Sequence, residues 1–129
     1  MDARRHLVNA MAVTRVRVQV VLPTRPGGFR PQARVHMAIE DVSLADAPAR
    51  LVASADFPVT AEGTSLGPFE LDADLTPVSR DYAVRVHIDQ TGDGRITPGD
   101  FVSTARHPIP TRAGVVELQV PVALVREAP

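Results

Sequence analysis

The densest run of chemistry-bearing side chains is Asp89-Gln90-Thr91-Gly92-Asp93-Gly94-Arg95-Ile96-Thr97-Pro98-Gly99-Asp100. Oxygen-bearing side chains stand at positions 1, 3, 5, 9 and 12 of that run, with glycine at 6 and isoleucine at 8. This is the spacing of an EF-hand calcium loop, in which alternating side-chain oxygens and the backbone carbonyl at position 7 wrap a hard cation while glycine permits the sharp turn. The candidate metal ligands are therefore Asp89, Thr91, Asp93, Arg95 through its carbonyl, and Asp100, with Ca2+ as the ion. Threonine at position 3 and a short aspartate at position 12 reduce the carboxylate count and reach. Strands rather than helices flank the run, and the affinity expected is at the weak, sub-millimolar to millimolar end. The alternative is a plain connection between two strands, in which Asp93-Gly94 supplies a turn with positive φ and the aspartates are solvated.

Three further groupings invite a chemical reading. Gly63-Thr64-Ser65-Leu66-Gly67 fits the Gly-x-Ser-x-Gly pattern of hydrolases, with Asp74 and then His87 or His107 downstream. A nucleophile elbow needs a strand running into a helix, however, and Pro68 followed by alternating Phe69 to Leu75 offers only another strand. His36 and His87 each sit between apolar neighbours and are placed on the outward face, where they would pair on a metal only if their strands were adjacent. Arg15 and Arg17 form an exposed cationic row whose partners should be cross-strand carboxylates. No catalytic residue and no cofactor-binding residue other than the calcium loop emerges.

The elements that must position these groups have a period of two. Val16-Arg17-Val18-Gln19-Val20 alternates strictly, as do Val35 to Ile39 and Tyr82 to Ile88. Weaker alternation runs through Leu51 to Val59, Phe69 to Leu75 and Phe101 to Ile109, and Val116 to Leu124 closes the series. Seven strands are predicted. The turn-rich pieces between them, with 12 prolines and 8 glycines in the chain, are too short for crossover helices, so the expected fold is all-β, a single antiparallel β-sandwich of about seven strands. Only Met1 to Met11 and Ser43 to Ala47 could hold a helical turn. Residues 1–12 are read as a flexible N-terminal segment and 13–129 as the single domain.

Pro121 interrupts the last alternating run, and because proline cannot donate to a ladder, that strand is expected at a sheet edge or bent near Pro121. An edge there could pair two copies of the chain into a homodimer.

Composition limits the remaining choices. The 129 residues carry 14 basic side chains, all arginine, against 15 acidic ones, giving a net charge of -1 that offers no electrostatic case for nucleic acid. With no tryptophan, one tyrosine and four phenylalanines, there are too few rings for a base-stacking surface. The absence of cysteine removes disulfides and thiolate chemistry. No apolar run reaches the roughly 20 residues needed for a transmembrane segment. If Met1 is the native start the compartment is cytoplasmic; if a leader precedes it, the compartment is the envelope or periplasm.

Val16 to Pro23, reading V-R-V-Q-V-V-L-P, and Ala33 to Ala49, reading A-R-V-H-M-A-I-E-D-V-S-L-A-D-A-P-A, resemble the YbaY/YscW family of small lipoproteins, which includes type III secretion pilotins. Glu40 to Pro48 is the most specific part. The resemblance continues more loosely through Phe69, Tyr82 to Asp89 and Val115 to Val125. It implies a compact β-sandwich without enzymatic activity, and for the pilotins an outer-membrane lipoprotein that chaperones a secretin subunit by holding its tail. The lipid-bearing cysteine of such lipoproteins has no counterpart in these residues, and the calcium-like loop is not part of the family's pattern. Read without the family, Asp41 and Ser43 are capping groups at a strand end, Leu44 is expected to fold back onto the core, and Asp46 with Pro48 closes a turn. The function expected is that of a non-enzymatic binding or accessory domain presenting a groove or sheet edge to a protein partner. The alternative is a calcium-stabilised envelope or extracellular module.

Overall fold

Alternating valines make the first strand and set the geometry of everything that follows. In β1 (Val13–Val21) Val16, Val18 and Val20 are fully buried while Arg15 faces solvent and Arg17 and Gln19 are half-buried, the half-wet pattern that the period of two dictates. The computed structural model describes residues 13–24, 29–44, 46–59, 63–111 and 114–127. The N-terminal segment 1–12, including the Met1 to Met11 helical turn, lies outside the described residues, as does Ala45 of the second one. The strands after β1 are β2 (Arg34–Asp41), β3 (Arg50–Pro58), β4 (Ser65–Asp74), β5 (Tyr82–Asp89), β6 (Phe101–Ser103), β7 (His107–Pro108) and β8 (Gly114–Leu124). No helix occurs among the described residues, and accordingly none is long and apolar enough to cross a membrane.

All seven sequence segments are strands, with one division: Phe101 to Ile109 is not continuous. Its two ends form β6 and β7, each pairing with β5, while Thr104 to Arg106 between them leaves the ladder. The fold class therefore stands as all-β, but the seven-stranded sandwich is corrected to an eight-stranded sheet in the order β3-β2-β5-β6-β8-β1-β4, with β7 also on β5. The sheet wraps until its two end strands approach. Phe57 of β3 and Phe69 of β4 touch with ring centroids 5.0 Å apart, yet no ladder joins β3 to β4. The result is a barrel with one open seam.

Two other expectations need correction. The sheet is not wholly antiparallel, because β8 runs parallel to β1 from Thr14↔Gly114 to Val21↔Pro121. Nor is the last strand an edge. It lies between β1 and β6, leaving β1 after Pro121 and joining β6 from Val122↔Ser103 onward. The missing N–H of Pro121 thus falls where the strand changes partners, a position that tolerates it inside a sheet.

Inward side chains from both halves of the wrapped sheet form one core, with Val16, Val18, Met37, Ile39, Val86 and Val120 fully buried. Burying each such side chain stabilises the fold by about 1.5–3 kcal/mol. Leu44 is 65% exposed, so it does not return to that core.

Candidate functional site: the loop over the outer face of β5

Strand β5 is buried on both faces except at Arg85, and the twelve-residue calcium-like run covers the outer face at its C-terminal end. After β5 ends at Asp89 the chain folds back to enter β6 at Phe101, and both ends of the loop are pinned by buried carboxylates. The Asp89 carboxylate, 5% exposed, accepts hydrogen bonds from the backbone N–H of Thr91, Gly92 and Gly94 at 3.2, 3.0 and 2.7 Å and from the Thr91 hydroxyl at 3.2 Å. Gly92 has φ of 74° and passes so close to the Gln32 carbonyl that a Cβ would stand 2.8 Å from it. Only glycine fits both the left-handed turn and that contact.

Asp100 is fully buried. Its Oδ1 accepts the Gln90 N–H at 2.9 Å; its Oδ2 accepts the Thr97 N–H at 3.1 Å and the Thr97 hydroxyl at 3.4 Å, and lies 2.8 Å from Nε2 of His87. Burial pushes both carboxyls up, and the hydrogen bonds outweigh it. Asp89 is held below its ordinary value by Gly94, Gly92 and Thr91, and Asp100 by His87, Gln90 and Thr97.

Of the five residues assigned to calcium, then, the fold brings Asp89 and Asp100 together beneath the loop. Thr91 serves Asp89, Asp93 caps its own turn by accepting the Arg95 N–H at 2.9 Å, and Arg95 is exposed. The residue that spacing missed is His87. Alternation puts it on the outward face, where it lies, but it is not solvated: the loop covers it, the residue is 9% exposed and its ring is paired with Asp100. Ligand-capable atoms of His87, Asp89 and Asp100 all lie within 4.8 Å of one another. No sequence signal announces the contact, because His87 and Asp100 belong to different elements and meet only when the loop closes.

His36 stands directly opposite His87 in the β2–β5 ladder, so the strands of the two histidines are adjacent. Its Nδ1 lies 2.5 Å from Oδ1 of Asp56 on β3. The hydrolase-like serine has no such company. The Ser65 hydroxyl accepts a hydrogen bond from Gln19, Asp74 accepts one from Thr76, and β4 is not a neighbour of β5.

The Arg15 and Arg17 row meets the carboxylates expected. Arg15 pairs with Asp72 at 3.0 Å, and Arg17 with Glu70 at 3.0 Å and Glu117 at 2.9 Å. The Glu40 to Pro48 segment is a clasp: Asp41 accepts the Ser43 N–H at 3.0 Å and pairs with Arg80 at 3.3 Å, while the Ser43 hydroxyl accepts the Asp81 N–H at 2.8 Å. Hydrogen bonds from Ser43 hold the Asp41 carboxyl below its ordinary value. The segment thereby ties the end of β2 to the turn before β5.

Comparison with known proteins bears on this architecture. Among solved structures, an alternative pilotin from the type II secretion system of Vibrio cholerae matches with a TM-score of 0.59 and 24% identity, over 86% of this chain and 97% of that one. No curated protein matches. The family model described as type III secretion system lipoprotein chaperone (YscW) matches residues 11–121, a span that takes in the clasp, the His87 strand and β8 as far as Pro121. On that match, the chain belongs to the YscW family.

Proposed function

We propose that this chain is a non-catalytic envelope chaperone that holds a secretin-type protein partner at the seam between β3 and β4. The seam is the observation that carries the reading. The two end strands of the sheet face each other without a ladder; Phe57 of β3 and Phe69 of β4 meet across the gap, and they and Leu71 of β4 are only partly buried. Unpaired strand edges are templates for an added segment, and half-wet apolar side chains beside them supply its hydrophobic contacts. The family's description as a secretion lipoprotein chaperone and the pilotin title of the matched structure support the choice of partner class. Pairing of two copies would use the same edges, since β8 is interior.

The test is a fluorescence-anisotropy titration with synthetic peptides covering the C-terminal tails of the secretin subunits in the source genome. Saturable binding to one tail is expected, lost in Leu71→Lys with the circular dichroism spectrum unchanged. Failure of every tail to bind, or binding indifferent to Leu71→Lys, overturns it.

Calcium on the Asp89–Asp100 loop is a separate proposal that rests on the twelve-residue spacing. An ion there would have to displace backbone N–H donors from Asp89 and Asp100 and recruit Asp93 from its own turn. A calcium-specific rise in melting temperature that Asp93→Ala removes would support it. An equal rise with magnesium, or one that survives Asp93→Ala, would sink it.

A further inference from the structure

We infer that His36 and His87 form a binding site for a late first-row divalent cation, Zn2+ being the probe of choice, on the outer face of the β2–β5 ladder. The inference is independent of the partner reading. The two residues are direct cross-strand partners, so their Cβ atoms are about 5 Å apart on one face of the sheet. Both line a cavity of about 340 Å³ whose other walls include Gly94, Ile96, Val102 and Ser103.

Each ring has one nitrogen committed to a carboxylate: Nδ1 of His36 to Asp56, and Nε2 of His87 to Asp100. A carboxylate fixes the proton on the nitrogen that faces it, which leaves the opposite nitrogen as a lone pair. Here those are Nε2 of His36 and Nδ1 of His87, neither with a hydrogen-bond partner among the described residues. Carboxylate–histidine pairs of this kind orient metal-bound imidazoles and raise their basicity. Two imidazole nitrogens as ligands select zinc, nickel or copper over the hard cations calcium and magnesium.

Arg85 is the opposing charge at the cavity wall, and its guanidinium is held by Glu40 at 3.2 Å. The neighbouring His87, Asp89, Asp100 cluster is the weaker candidate, because its carboxylate oxygens already accept the loop's own N–H donors.

Isothermal titration of the full chain with ZnCl2, together with 15N spectra of the imidazole rings, tests the site. One zinc per chain is expected, with the metal-dependent 15N shifts at Nε2 of His36 and Nδ1 of His87. His36→Gln, at a half-buried position outside the core, should weaken binding at least tenfold with the metal-free circular dichroism spectrum unchanged, and His6→Ala should bind as wild type. Absence of binding, full binding by His36→Gln, loss in His6→Ala, or coordination through Nε2 of His87 would each overturn the assignment.

Discussion

The outer faces of the two halves of the wrapped sheet are built from similar residue types and behave oppositely. On β1, β4 and β8 the outward side chains include arginines and acids that pair in the open: Arg15 with Asp72, and Arg17 with Glu70 and Glu117. On β2 and β5 the outward side chains include His87, 9% exposed, because the 89–100 loop lies across it. Polar pairing in water contributes little, whereas a buried acceptor with several donors becomes a structural joint. What separates the two faces is the presence of a covering loop, and the loop stays closed because Asp89 and Asp100 anchor its ends.

The comparison can be broken in descending order of effect. Val86→Asp places an unpaired charge in the shared core beneath the covered face and should destabilise by about 3–5 kcal/mol in urea unfolding, while Arg85→Asp, one residue along and pointing outward, should do far less. Equal losses would show that the inward and outward faces of β5 are misassigned.

Asp100→Ala comes next. It orphans the N–H groups of Gln90 and Thr97 and the Nε2 of His87, at a cost of about 2–4 kcal/mol. Hydrogen exchange should locate the damage in residues 87–100 and spare β1 and β4; uniform damage would mean that the loop is not a separate joint.

Acid sharpens the same contrast. Because the folded-state values of Asp89 and Asp100 lie below their ordinary value of 3.8, their contribution is fully present above the unfolded value and is lost as pH falls through the folded ones. Stability should therefore decline from about pH 5 downward. Asp100→Ala should flatten that decline, and a wild-type profile in the variant would remove the carboxylate from the account. The smallest effect belongs to the open face: Arg17→Ala should leave the melting temperature close to wild type in moderate salt. A large shift there would mean that the exposed ladder is a joint as well.

The strands were legible because alternation of Val, Met and Ile with Arg, His and Glu is the direct imprint of a sheet with one wet face. Their order was not, since a period of two carries no information about neighbours; the parallel meeting of β1 and β8 and the interior position of Pro121 emerge only when the sheet wraps. For the loop, spacing named Asp89 and Asp100 as ion ligands, and the structure brings their carboxylates together beneath the closed loop. Their geometry was hidden, because a carboxylate that could face an ion can equally turn inward onto backbone N–H groups, and only the closed loop decides. His87 illustrates the same limit: alternation gave its face, but burial came from a segment that alternation does not describe.

The pairing of the first strand with the last has a consequence for how the chain comes into being. Arg17 and Glu117 meet across 100 residues of sequence, and β8 stands between β1 and β6, joining the two halves of the sheet. No ordered subset of the chain can complete the barrel before β8 has left the ribosome, and closing so long a loop makes the final step slow. Until β8 has been made, the two half-sheets lack the strand they share, and neither can close against the other.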